Sequence, residues 1–222
     1  MLTRFANWLD ERIGWRPVWE AIFLRKMPKV NWFYTLGSAT LFVALNQAIT
    51  GILLTIYYVP TPDHAYDSVQ YITTQVTGGW LIRGMHHWGA SLMVVLVVLH
   101  MLRVIFYGAY KYPREVTWLT GVVLLLLVIG FGFTGYLLPW DQKSYWATTV
   151  GTRIAGVAPF IGNWILRIMR GGEDLSAITL ARFFGTHVWV LPAALMVLVG
   201  THLYLVIRNG ISEIPRKEAG KR

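Results

Sequence analysis

"RGMHHWGASLMVVLVVLH", running from Arg83 to His100, decides how this chain is read. Its apolar letters extend far enough to belong to a helix crossing a bilayer, which takes about 20 residues. Yet the same stretch carries His86, His87 and His100. A polar side chain in hydrocarbon is costly, so each such histidine is expected to have a partner or a task.

The rest of the composition agrees with a membrane setting. Of 222 residues, 55% are hydrophobic and only 14% charged, too apolar for an ordinary soluble domain. There are no cysteines, which excludes disulfides, thiolate-bound iron–sulfur clusters, zinc–thiolate sites and haem attached through a thioether. The net charge of +9 does not form one basic patch but is spread between apolar spans, so membrane topology explains it and nucleic acid is not an expected partner.

Four stretches qualify as spans, near residues 32–58, 81–106, 115–138 and 183–207. Residues 1–30 show no apolar core or small-residue cleavage site, so no signal peptide is expected. "FANWLDERIGWRPVWEAIF" alternates apolar and charged residues at helical spacing and predicts an amphipathic helix lying in the interface. Residues 31–210 form the bundle and 211–222 a basic tail. A polar loop with prolines joins the first two spans, and a short turn, "YGAYKYPRE", joins the next two. About forty residues from Pro139 onward precede the last span and predict short interfacial helices.

Fourteen of the 20 Lys and Arg residues lie in the N-terminal arm, the short turn and the tail. The positive-inside rule therefore puts both termini on the cytoplasmic, negative side of an energy-transducing membrane.

On this topology His86 and His187 lie near the outer ends of the second and fourth spans, and His100 and His202 near the inner ends. An interval of fourteen residues falls about 40° short of four helical turns, and one of fifteen overshoots by about 60°. Each pair thus shares a face, with rises of about 21 and 22 Å. If the faces meet, His86 opposes His187 and His100 opposes His202. Two facing imidazoles at each of two depths suit bis-histidine ligation of two stacked, non-covalent haems. The alternative is that each histidine only hydrogen-bonds between helices. If the histidines are ligands, their remaining ring N–H groups need acceptors to set the tautomer.

Gly37 and Gly51 on the first span, and Gly121 and Gly135 on the third, repeat the fourteen-residue interval. Glycine would let the edge of a flat macrocycle approach the backbone, although small residues also serve ordinary helix packing in membranes. His87 points about 100° away from His86 and cannot serve the same iron. It either faces the bundle near a porphyrin edge or lies at the interface, while His64 belongs to the outer loop. Met85, Met93 and Met101 read as core packing. Arg83 and Arg103 are placed to pair with haem propionates or to anchor the helix at the interface, and Arg182 and Arg208 raise the same question.

"GWLIRGMHHWGAS", "KYPREVTWLTGVVL", "GFTGYLLPWDQ", "TLARFFGTHVWVLP" and "HLYLVIRNGIS" resemble, in that order, the short cytochrome b of b6 type found in quinol:cytochrome c or plastocyanin reductases. The resemblance runs from Asn31 to Ser212 and implies an all-α bundle of four transmembrane helices enclosing two b-type haems. It implies a low-potential outer haem on His86 and His187 and a high-potential inner haem on His100 and His202. Quinol would be oxidised outside, one electron passing to a Rieske iron–sulfur protein and the other through both haems to a quinone inside, with proton translocation. Tyr136, Pro139 and Trp140 would wall the outer quinol pocket, and Arg208 and Glu20 would lie near the inner quinone site.

Two features depart from the family pattern. "FYTLG" has Thr35 where the short form usually has a cysteine holding a further c-type haem, so no covalent haem is expected there. The Pro-Glu-Trp-Tyr-type motif is absent from these 222 residues. The resemblance therefore implies a subunit IV-type companion chain, besides the Rieske protein, a c-type cytochrome, lipid and a dimeric complex. Competing readings are a dihaem anchor of a quinone-linked dehydrogenase or hydrogenase, and a transporter subunit with structural histidines.

Overall fold

The computed structural model describes residues 2–23 and 32–212, and every regular element among them is helical. Arg25, Lys26, Lys29 and most of the basic tail lie outside the described residues. The chain divides into two units, residues 1–31 with 213–222, and residues 32–212.

In the first unit the single N-terminal helix expected from the sequence is two, α1 (Leu2–Ile13) and α2 (Trp15–Phe23). Gly14 separates them with φ +59°, a conformation that glycine adopts without a Cβ clash. The corner is tied by the Trp15 indole donating to the Ala6 carbonyl at 3.1 Å and the Arg16 backbone N–H donating to Asp10 at 2.9 Å.

The second unit opens with a 3₁₀ turn (Trp32–Thr35) leading into α3 (Leu36–Thr55). α5 (Gly79–Phe106) and α6 (Glu115–Leu137) supply the next two spans. The fourth is continuous from Ala177 to Asn209: α9 (Ala177–Gly185), a π turn (Thr186–Val190) and α10 (Leu191–Asn209). It starts earlier than the sequence suggests because Ser176 and Thr179 form a capping box that sets the helix N-terminus there.

Of the connections, one differs from the sequence reading and one agrees with it in being helical. The polar loop after α3 contains a helix, α4 (Ala65–Thr74), which buries Ala65, Ser68 and Ile72 on one side. Beyond α6, the long connection folds as α7 (Gln142–Gly156) and α8 (Gly162–Arg170). Asp141 caps α7 by accepting from the Ser144 N–H at 2.7 Å. Arg170, almost fully buried, fastens α8 to α7 by donating to Thr152 Oγ1 and to the Thr149 carbonyl.

Within the bundle α3 packs along α5, and α6 along α10. Val43, Met93, Val97 and Val128 form a buried apolar core midway along these helices, with Met101 packed against it. Most other apolar side chains face outward, as Phe42, Trp88, Phe106 and Trp189 do, which suits helices surrounded by lipid or other subunits. The segment after α10 returns to the end of the bundle where α3 begins. There the Tyr34 hydroxyl donates to the Ser212 carbonyl at 2.8 Å and Arg114 Nε donates to the Gly210 carbonyl at 3.1 Å.

Candidate functional site

The histidine faces of α5 and of the fourth span turn toward each other. The ring centroids of His86 and His187 lie 6.3 Å apart, with the rings inclined at 74°. Two metal–imidazole bonds of about 2 Å each, plus the two half-rings, fill that distance. At the other level His100 and His202 are close enough to interact electrostatically.

The fifteen-residue interval between His187 and His202 matches the fourteen-residue one through the π turn. The Leu191 N–H bonds to the Thr186 carbonyl, five residues back. This turn takes in one residue more than an α turn, so the extra residue costs little rotation. Pro192 stands next and has no N–H to offer the Val188 carbonyl, which removes a competing α-helical bond.

Each repeated glycine touches one of these imidazoles. A Cβ built on Gly51 would lie 3.2 Å from His86 Cε1, and on Gly37 3.1 Å from His100 Cε1. On Gly135 it would lie 2.6 Å from His187 Cε1, and on Gly121 3.5 Å from His202 Cε1. Among protein atoms, the closest neighbour of each of these glycines is therefore a histidine ring. The missing Cβ is what lets each imidazole lean against the helix backbone.

Three threonines, to which the sequence alone assigns no role, complete the histidines. Thr50 Oγ1 is 3.0 Å from His86 Nδ1, Thr134 Oγ1 3.0 Å from His187 Nδ1, and Thr120 Oγ1 2.9 Å from His202 Nδ1. Each hydroxyl hydrogen is already donated down its own helix, to the carbonyls of Asn46, Gly130 and Thr117 respectively. The oxygen can then only accept, so the ring proton sits on Nδ1 and Nε2 keeps its lone pair. The Gln47 amide also approaches His86 Nδ1, at 3.3 Å, but the shorter threonine contact sets the tautomer. A signal stands in the letters: within the four spans, Thr-Gly occurs at 50–51, 120–121 and 134–135.

Arg103, in the last turn of α5, lies near His100. Its guanidinium carbon is 3.7 Å from the Tyr34 ring centroid and 5.0 Å from that of Tyr107. Its Nε and Nη2 are buried without a hydrogen-bond partner among the described residues. A buried guanidinium with two idle donors matches a carboxylate. Arg83, one turn before His86, is half-buried. Arg182 instead donates to the Arg167 and Ile168 carbonyls near the end of α8.

Tyr136 is exposed, and Pro139 and Trp140 are half-buried at the turn between α6 and α7. Trp140 has φ +50°, a strained conformation for a bulky residue. The Tyr58 hydroxyl braces this turn by donating to the Leu138 carbonyl at 2.7 Å, and its ring stacks on Phe184. A shallow apolar groove of about 240 Å³ lies elsewhere, between α3 and α5, lined by Phe42, Asn46, Met85 and Trp88 among others. Arg208 is exposed near the end of α10, and Glu20 is exposed on α2 in the other unit. His64 and His87 are also exposed. Thr35 Oγ1 donates to the Trp32 carbonyl at 2.6 Å.

Together these features define a multi-pass helical membrane protein with facing imidazoles at two depths, three of the four bonded at Nδ1 by threonine. The chain belongs to the cytochrome b/b6 family, whose model (Cytochrome b/b6/petB) matches residues 22–210. It is 46% identical to the menaquinol:cytochrome c reductase cytochrome b subunit of Geobacillus thermodenitrificans, across 96% of this chain and 99% of that one. It is 44% identical to cytochrome b6 of Synechococcus sp. (strain JA-3-3Ab), across 95% and 99%. Among solved structures it is similar to a chain of a hyperthermophilic respiratory Complex III, with a TM-score of 0.85 and 35% identity. That match covers 97% of this chain and spans 59% of the length of the other.

Proposed function

We propose that this chain is the cytochrome b subunit of a quinol-oxidising electron-transfer complex and holds two non-covalent b haems, one between His86 and His187 and one between His100 and His202. The observation that carries the reading is the facing imidazoles of His86 and His187, each with Nδ1 at 3.0 Å from a threonine hydroxyl. No cluster of three or more His, Cys, Asp or Glu side chains gathers among the described residues. A macrocycle bringing four nitrogens of its own needs only the two that each pair offers.

Bound there, haem supplies reversible one-electron chemistry. The protein's part is positional and electrostatic. Threonine hydroxyls bond three of the four rings, glycines admit all four, and the core around Val43, Met93, Val97 and Val128 is apolar. Arg103 offers its idle Nε and Nη2 to a propionate of the inner haem, and Arg83 stands near the outer one.

The same reading assigns Tyr136, Pro139 and Trp140 to the wall of an outer quinol pocket, supported by the braced, strained turn they occupy. It assigns Arg208 and Glu20 to the inner quinone site. Both termini face the negative side of the membrane, following the basic residues. The partners are a companion membrane chain, a Rieske protein and a c-type cytochrome in a dimeric complex. The name of one relative, a menaquinol:cytochrome c reductase cytochrome b subunit, supports membership of a multi-subunit complex and a cytochrome c acceptor. Thr35 carries no covalent haem, since a hydroxyl cannot form a thioether.

Purified protein, produced with full haem supply, tests this by haem extraction and redox-titrated difference spectra. Two extractable haems b per chain with separate midpoint potentials are expected. A colourless, correctly folded protein would overturn the reading.

A further inference from the structure

The Thr-Gly pairs are unevenly shared between the two levels. Both outer histidines face a threonine, Thr50 for His86 and Thr134 for His187. At the inner level His202 faces Thr120, but the residue before Gly37 is Leu36, which has no hydroxyl. Backbone groups of Gln47, Phe131 and Thr117 also bond His86, His187 and His202 respectively, so the threonines add to a contact already there. The placement of the ring against glycine is alike at the two levels. His100 presents Cε1 and then Nδ1 to Gly37 at 3.1 and 3.5 Å, as His86 does to Gly51 at 3.2 and 3.8 Å. A hydroxyl at position 36 would therefore stand to His100 much as Thr50 stands to His86.

An acceptor on Nδ1–H draws the proton outward and makes Nε2 a stronger donor to a metal, which favours the ferric state and lowers the reduction potential. We propose that Leu36 is a tuning position: by withholding a fourth threonine acceptor, it raises the inner haem's potential above the outer one's and gives the transmembrane electron step its direction. This rests on the two-haem reading above. Arg103, beside the inner level, pushes the same way because a buried cation favours the reduced iron. Changing Leu36 leaves that charge in place and so separates the two causes.

The test is a potentiometric optical titration of the intact complex carrying L36T, T120V or T50V. L36T should lower the inner component and leave the outer unmoved, changing its oxidised-to-reduced ratio at fixed potential by roughly threefold to tenfold, the range of one hydrogen bond. T120V should raise the inner component, and T50V the outer; T50S should behave as wild type. If L36T fails to assemble, T120V decides, since it removes an acceptor from the same haem. Two haems at full occupancy with unmoved potentials in L36T or T120V would overturn the proposal while leaving the functional reading standing. Wild-type complex whose chain holds no haem would overturn both.

Discussion

The backbone N–H of Leu191 bonds to the carbonyl of Thr186, five residues earlier, and this one π turn brings His187 and His202 into register with His86 and His100. An α-helical fifteen-residue interval would leave the fourth span's two histidines about 100° further apart in rotation than α5's pair. The turn removes most of that mismatch at the point where His187 itself sits.

Deleting Val190 should therefore convert the turn to ordinary helix and keep both haems, at wild-type haem-to-protein ratio. Inserting an alanine after Leu195 has no such relief and should cost one haem per chain. Haem extraction per mole of protein reads both outcomes, and the opposite pattern would show that the π turn is not what sets the register.

Alanine substitutions at the four glycines should differ in severity. Gly135→Ala puts a methyl 2.6 Å from His187 Cε1 and should displace the outer haem, since overpacking of this kind costs about 1–3 kcal/mol. Gly121→Ala meets His202 at an ordinary 3.5 Å and should bind both haems. Absorbance of each haem component per chain tests the order.

His202→Ala should remove the inner haem and retain the outer. Difference spectra at controlled potential distinguish the two components; retention of both would show that the pairing by depth is wrong.

Arg103→Leu should weaken the inner haem by roughly tenfold or more, the worth of a charge-assisted hydrogen bond to a carboxylate. The leucine keeps apolar bulk between Tyr34 and Tyr107, so loss of packing is limited. Timed transfer of haem to an excess of apomyoglobin measures the effect, with the outer haem as internal control.

Much of the site is legible in the sequence. The intervals from His86 to His100 and from Gly37 to Gly51 depend on helical periodicity, a property of the local backbone. The four spans follow equally from hydropathy and length. Other features are present in the letters but have no visible meaning there: threonine is common in membrane helices, so Thr50, Thr120 and Thr134 gain a role only from their 2.9–3.0 Å contacts with imidazoles on other helices. The helix at Ala65–Thr74 is hidden because its buried side, Ala65, Ser68 and Ile72, includes too few apolar residues to stand out.

From sequence alone came a four-span membrane chain, four histidines on two helices, four glycines on the other two, and a family likeness strong enough to expect haem. These are set by local hydrophobicity and by the helical repeat. Tertiary structure decided which glycine receives which ring, which hydroxyl sets each tautomer, that Arg103 is buried between two tyrosines with idle donors, and that one π turn brings an odd interval into line. Each of those depends on distances of a few ångströms between segments far apart in the chain, or on which carbonyl a given N–H selects. Helical periodicity carries no information about either.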